Sequence, residues 1–195
     1  YGARPVPCLH GLATDARVVY VGSFSKTLFP ALRLGFLVVP PDLLATLSSM
    51  RRATDLHPPV FEQLVVADMI AEGHYDRHLR RVRAACRERL DALADSAARC
   101  CGGALQLRTV QTGLHAVADL ADEIDLDRLL IEAAEQQVEI MALSAYYAAG
   151  RQRPHALVLG FGSVEPEAVR HGMERLAIAL ERARGRDTSV RLQPQ

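Results

Sequence analysis

The chain has 195 residues, 49% of them hydrophobic, enough for one good core or for two small lobes that share an interface. Its 23 basic and 23 acidic residues cancel, so no global field directs it to nucleic acid or to a membrane surface. No apolar run approaches a bilayer span, and the four cysteines (Cys8, Cys86, Cys100, Cys101) lack the CxxC spacing of a zinc site, which points to a reduced, cytoplasmic protein without metal.

Residues 1–17, with Pro5, Pro7 and Gly11, read as irregular. The opening Tyr1-Gly2-Ala3-Arg4-Pro5 has neither an initiator Met nor the shape of a signal peptide, so a longer polypeptide is expected. Arg17 to Gly22 predicts a short strand, Ser23 to Leu34 a polar loop broken by Pro30, and Gly35 to Val39 a second strand closed by Pro40–Pro41. Both strands are apolar on both faces, as expected of central strands covered on both sides. Helices are predicted over 42–52 and 60–71, launched by Pro40–Pro41 and Pro58–Pro59.

From His74 to Arg99 the pattern is that of a long amphipathic helix. Leu79, Val82, Cys86, Leu90 and Leu93 step by three and four along one face, and Gly102–Gly103 end it. The arginines 77, 80, 81, 83, 87 and 89 alternate with Asp76, Glu88 and Asp91, the pattern of a solvated face rather than of a nucleic-acid surface. Residues 105–120 predict two strands around the turn at 111–113, 125–137 a helix, 138–143 and 156–162 strands, and 165–184 a last helix; 186–195 reads as a polar, frayed tail. The chain thus divides into 1–50, the end of an α/β sheet, 51–99, connecting helices, and 100–185, a small α+β lobe, followed by the tail.

Lys26 is the only lysine; every other member of the basic set is arginine. Coding bias accounts for the arginines. It does not account for one retained lysine, since a guanidinium cannot replace an amine that must attack a carbonyl. The neighbours sharpen the point. In Ser23-Phe24-Ser25-Lys26-Thr27-Leu28-Phe29-Pro30-Ala31-Leu32-Arg33-Leu34-Gly35, a strand delivers the lysine, hydroxyls flank it, and an arginine follows seven residues on. That set suits a phosphorylated aldehyde: the amine forms an imine, and Ser23, Ser25, Thr27 and Arg33 can donate to phosphate oxygens. Gly22 and Gly35 permit close backbone approach.

This stretch resembles the S-x-S-K-x-x-x-P-x-x-R-x-G signature of the fold-type-I, pyridoxal 5′-phosphate (PLP) dependent aminotransferases, and it is most similar to the aminotransferase-like domain of the MocR/GabR-type regulators of the GntR family. Pro59-Val60-Phe61-Glu62-Gln63, the run Ile70 to Arg81, Gly113-Leu114-His115, Ala142 to Tyr147 and Leu157 to Phe161 extend the likeness along the chain.

The resemblance implies an α/β fold, the C-terminal part of an aspartate-aminotransferase-like large domain followed by a small α+β domain. It implies an internal aldimine on Lys26, which also acts as proton shuttle, with Ser23 and Arg33 as phosphate ligands and Ser25 and Thr27 in support. It implies an amino acid or amine ligand, a homodimer, and contact with DNA only through a separate N-terminal domain. The family's carboxylate that holds the pyridinium proton, its ring-stacking aromatic and its N-terminal phosphate loop lie upstream of Tyr1. Many members bind the substrate carboxylate with an arginine two residues before the Gly-Phe of the strand at 156–162; here that residue is Val158, and Arg153, in the preceding loop, is the candidate instead.

His115 reads as a structural histidine, and Tyr146–Tyr147 as inter-lobe packing or an edge of the site. Three functions stay open: the effector-sensing part of a regulator, a stand-alone aminotransferase, and a fragment inactive by itself.

Overall fold

In the computed structural model, residues 7–12, 17–56, 59–148 and 154–184 are described. The helices are α1 (Leu9–Leu12), α2 (Pro41–Asp55), α3 (Val60–Ala71), α4 (His74–Cys100), α5 (Leu126–Glu135) and α6 (Pro166–Ala183). The strands are β1 (Tyr20–Ser23), β2 (Gly35–Val38), β3 (Leu105–Leu107), β4 (His115–Leu120), β5 (Met141–Ala142) and β6 (Ala156–Gly160). Two compact units result, Gly2–Arg83 and Ala84–Gln195, with the boundary inside α4.

The second unit is built on a four-stranded antiparallel sheet in the order β3-β4-β6-β5. Alternation along β4 sends Ala116, Ala118 and Leu120 to one face, where the register sets Ala116 beside Leu159 and Ala118 beside Leu157 of β6. Leu129 and Ala133 of α5, Met173, Leu176 and Leu180 of α6, and Leu90, Leu93 and Ala97 of α4 are buried with them, and Phe161 is fully enclosed.

Local chemistry sets the helix ends. The Asp125 carboxylate caps α5 by accepting from the Arg128 N–H at 3.0 Å. Gln137, left-handed at φ 58, and Val138 close it with bonds back to Ala134 and Ala133. That cap uses the start of the stretch predicted as a strand over 138–143. Only Met141–Ala142 pair with β6, and residues 143–146 form a 3₁₀ turn.

Arg89 departs from the solvated face expected of the α4 arginines. Its side chain is 17% exposed and reaches the Gly162 carbonyl at 2.7 Å and the Glu165 carboxylate at 2.6 Å. The reason is position: Arg89 lies one residue from the buried Leu90, at the edge of the apolar stripe.

The first unit is different. β1 and β2 form an antiparallel pair with Gly22 beside Phe36 and Ser23 beside Gly35. The expected covered central strands are not seen among the described residues. Val21 is 70% and Leu37 56% exposed, and Phe61, Leu64 and Ile70 of α3 are exposed as well. Val66 is the one buried apolar residue among those described before Arg83.

Candidate functional site

The loop between β1 and β2 carries four of the five candidate site residues. Ser23 ends β1 opposite Gly35, and the Phe24 N–H bonds to the Leu34 carbonyl at 3.0 Å, so Ser23–Ser25 and Arg33 come together at one end of the ribbon. Thr27 and Leu28 donate N–H bonds back to the Phe24 carbonyl at 3.2 and 2.8 Å. This single helical turn presents Lys26 outward, exposed, with no hydrogen-bond or ion-pair partner among the described residues. The Ser23 hydroxyl accepts from the Ser25 N–H at 3.2 Å and braces the start of the turn.

Arg33 follows a 3₁₀ turn at Pro30–Leu32 and takes the left-handed conformation at φ 50, ψ 30, held by its N–H on the Pro30 carbonyl. A non-glycine residue rarely adopts that conformation without context. Here it turns the chain back into β2. The guanidinium is exposed and has no carboxylate partner among the described residues.

The two glycines are fixed by packing. A Cβ on Gly22 would sit 2.3 Å from the Phe36 ring, and one on Gly35 would sit 2.8 Å from the Gly22 carbonyl oxygen. Side chains at either position would force the ribbon apart and move Ser23 and Arg33 with it.

Two residues not singled out from the sequence complete the frame. The Tyr75 hydroxyl donates to Thr27 Oγ1 at 3.0 Å, and its ring meets Phe24 edge-on at 5.7 Å. His78 Nε2 lies 2.7 Å from the Thr27 carbonyl. A carbonyl only accepts, so Nε2 is the protonated nitrogen. They lie 48 and 51 residues beyond Thr27, a separation that local motif reading does not cross.

Of the remaining candidates, Arg153 lies outside the described residues. His115 is in the second unit, exposed at the start of β4, its ring about 3.5 Å from where a Gly160 Cβ would be. Tyr146 and Tyr147 are exposed at the 3₁₀ turn.

A primary amine and a guanidinium, both unpaired among the described residues, and neutral hydroxyls on one tight loop fit a group that carries both an aldehyde and a phosphate. The comparisons agree with that chemistry. The fold is that of part of a fold-type-I, PLP-dependent transferase: the chain is similar to LysN, the α-aminoadipate aminotransferase of Thermus thermophilus complexed with N-(5′-phosphopyridoxyl)-L-leucine (TM-score 0.81, 28% identity, 93% of this chain and 47% of that one). It is likewise similar to the kynurenine aminotransferase of Pyrococcus horikoshii in complex with PMP (TM-score 0.83, 26% identity, 93% and 45%). The chain belongs to the family Aminotransferase class I and II, matched over residues 1–176, whose cofactor is PLP.

Among curated proteins it is 34% identical over 180 residues to the "Probable rhizopine catabolism regulatory protein MocR" of Rhizobium meliloti (92% of this chain, 36% of that protein). It is 30% identical over 184 residues to the 2-aminoadipate transaminase of Thermus thermophilus (93% and 46%). The chain therefore spans less than half the length of these relatives.

Proposed function

We propose that this chain is the lysine-bearing part of the effector-sensing, aminotransferase-like domain of a MocR-type regulator, in a cytoplasmic homodimer that meets DNA through a separate N-terminal domain. The observation that carries the site is the exposed Lys26, without a partner among the described residues, on a turn flanked by Ser23, Ser25 and Arg33. The identity to MocR supports the regulator reading.

When bound, PLP supplies an electrophilic carbonyl for amines and an electron sink. Lys26 would hold it through its amine, and the same amine would take and return a proton as general base. Arg33 and the Ser23 hydroxyl would hold the phosphate, with Ser25 and Thr27 alongside. Arg153 is the candidate partner for a substrate carboxylate.

The second reading, a stand-alone aminotransferase, is favoured by the identity to the 2-aminoadipate transaminase. The test is to load the polypeptide, as its gene encodes it, with PLP and add a panel of amino acids and amines. The regulator reading expects a spectral change that is saturable and selective for one ligand, and DNA affinity that shifts with that ligand. Multiple-turnover formation of a keto acid with no DNA binding would establish the enzyme instead.

A further inference from the structure

The Lys26 turn is not buried, so its rigidity has to come from directed contacts. Three converge on it from one turn of one helix. Tyr75 and His78, three residues apart near the start of α4 and so on one face, are both half-buried. His78 binds the main chain immediately after the lysine, at the Thr27 carbonyl; Tyr75 binds the Thr27 hydroxyl and packs on Phe24, two residues before the lysine. The Thr27 hydroxyl in turn donates to the Phe24 carbonyl at 3.4 Å, which links both sides of the turn.

We infer that Tyr75 and His78 are positioning residues: a clamp on either side of Lys26 that fixes the direction of its side chain and leaves its amine free. The inference rests on Lys26 being the cofactor lysine. The clamp touches neither the amine nor Ser23, Ser25 or Arg33; of the hydroxyls near the phosphate site it meets only that of Thr27, which is already donated to the Phe24 carbonyl. Its loss should therefore loosen the placement of the amine without removing any group that binds the cofactor. The two contacts also differ in kind. The His78 bond is to backbone, so any side chain that places a donor near Nε2 should serve. The Tyr75 contact combines a ring and a hydroxyl, and phenylalanine keeps only the ring.

The test compares wild type, His78→Leu, His78→Gln and Tyr75→Phe in the polypeptide as its gene encodes it. The probe is PLP. The readouts are the rate of PLP release, the position of the visible absorption band, and the borohydride-reduced adduct mapped by peptide mass. The adduct should lie on Lys26 in all four. His78→Leu, which strands a part-buried carbonyl, should release PLP about tenfold faster with a displaced band. His78→Gln should recover most of the wild-type rate, and Tyr75→Phe should lie between, about threefold faster.

Wild-type release rates and spectra in both His78→Leu and Tyr75→Phe, with the adduct still on Lys26, would overturn the clamp while leaving the lysine assignment standing. Equal losses in His78→Leu and His78→Gln would overturn the donor role. If His78→Leu does not fold, faster release in Tyr75→Phe with the Lys26 adduct retained supports the clamp, and an unaltered rate there overturns it. A wild-type protein with no adduct on Lys26 would remove the underlying lysine assignment, and the clamp with it.

Discussion

The two units of this chain solve different problems. The second unit closes a core: alternate residues of β4 are buried together with residues of β6, α5, α6 and the end of α4, and Leu129, Leu157, Phe161 and Ala179 are fully buried. The described residues before Arg83 carry the proposed site on a frame in which Val66 alone is a buried apolar residue. Order around Lys26 comes instead from the glycine fit at Gly22 and Gly35, the left-handed turn at Arg33, and the polar grip of Tyr75 and His78. Apolar burial holds the one unit, and short-range geometry holds the Lys26 loop of the other.

The largest expected effect tests that contrast by mutation. Leu157→Ala, at a fully buried site, should cost about 2–5 kcal/mol, whereas Leu37→Ala in the same 195-residue chain should stay within about 0.5 kcal/mol, both read from urea unfolding. Comparable costs would mean that the β1–β2 pair is covered after all. The contrast sharpens in the whole gene product. If further chain covers the pair there, Leu37→Ala becomes costly and Leu157→Ala is little altered.

Next in size is the Arg33 end of the loop, proposed to hold the phosphate. Arg33→Ala should weaken PLP by roughly ten- to hundredfold, the worth of a charged hydrogen bond of about 1.5–3 kcal/mol, and should barely alter pyridoxal, which lacks the phosphate. Equal losses for both ligands in a fluorescence titration would exclude a phosphate role.

A smaller effect belongs to the closed unit. Burial, aided by the neighbouring Cys100, pushes the Cys101 thiol up to about 11. The fold therefore favours the protonated thiol. Its contribution is complete below the ordinary thiol value of 9.0 and is lost as pH rises from there through about 11. The urea midpoint should thus fall more between about pH 8 and about pH 10.5 in wild type than in Cys101→Ala. At about pH 8 a thiol reagent should label the exposed Cys8 and spare Cys101.

The smallest concerns a surface pair. Arg108 donates to both oxygens of Asp119, at 2.8 and 2.6 Å, and through those hydrogen bonds holds the Asp119 carboxyl below its ordinary value. The contribution is present at neutral pH and fades as pH drops through the carboxylate range. Arg108→Ala should let the Asp119 titration return toward 3.8 by NMR with no resolvable change in stability, as expected of an exposed pair.

Much of this was legible in the residues, and the misses have physical causes. The Lys26 segment is contiguous, so its hydroxyls, glycines and arginine could be read from spacing alone. Helix α4 and its Gly102–Gly103 stop follow from periodicity and from two residues at positive φ. The clamp was hidden because its partners are far apart in sequence and Tyr75 and His78 sit in an ordinary helical pattern. The strand over 138–143 shrank to two residues because Val138 is taken up by the α5 cap, which an apolar run does not reveal. The apolar faces of β1 and β2 were read as covered, yet they are exposed here; composition reports what a strand could bury and not which segment buries it.

The most direct test of the central claim is to incubate the gene-encoded polypeptide with PLP, reduce it with borohydride and map the adduct by peptide mass, in wild type and in Lys26→Ala. The phosphopyridoxyl mass should appear on the peptide that contains Lys26, and the variant should lose both that adduct and the visible absorption band. An adduct on another residue in wild type, or one that persists unchanged in Lys26→Ala, would contradict the assignment of Lys26 as the cofactor lysine.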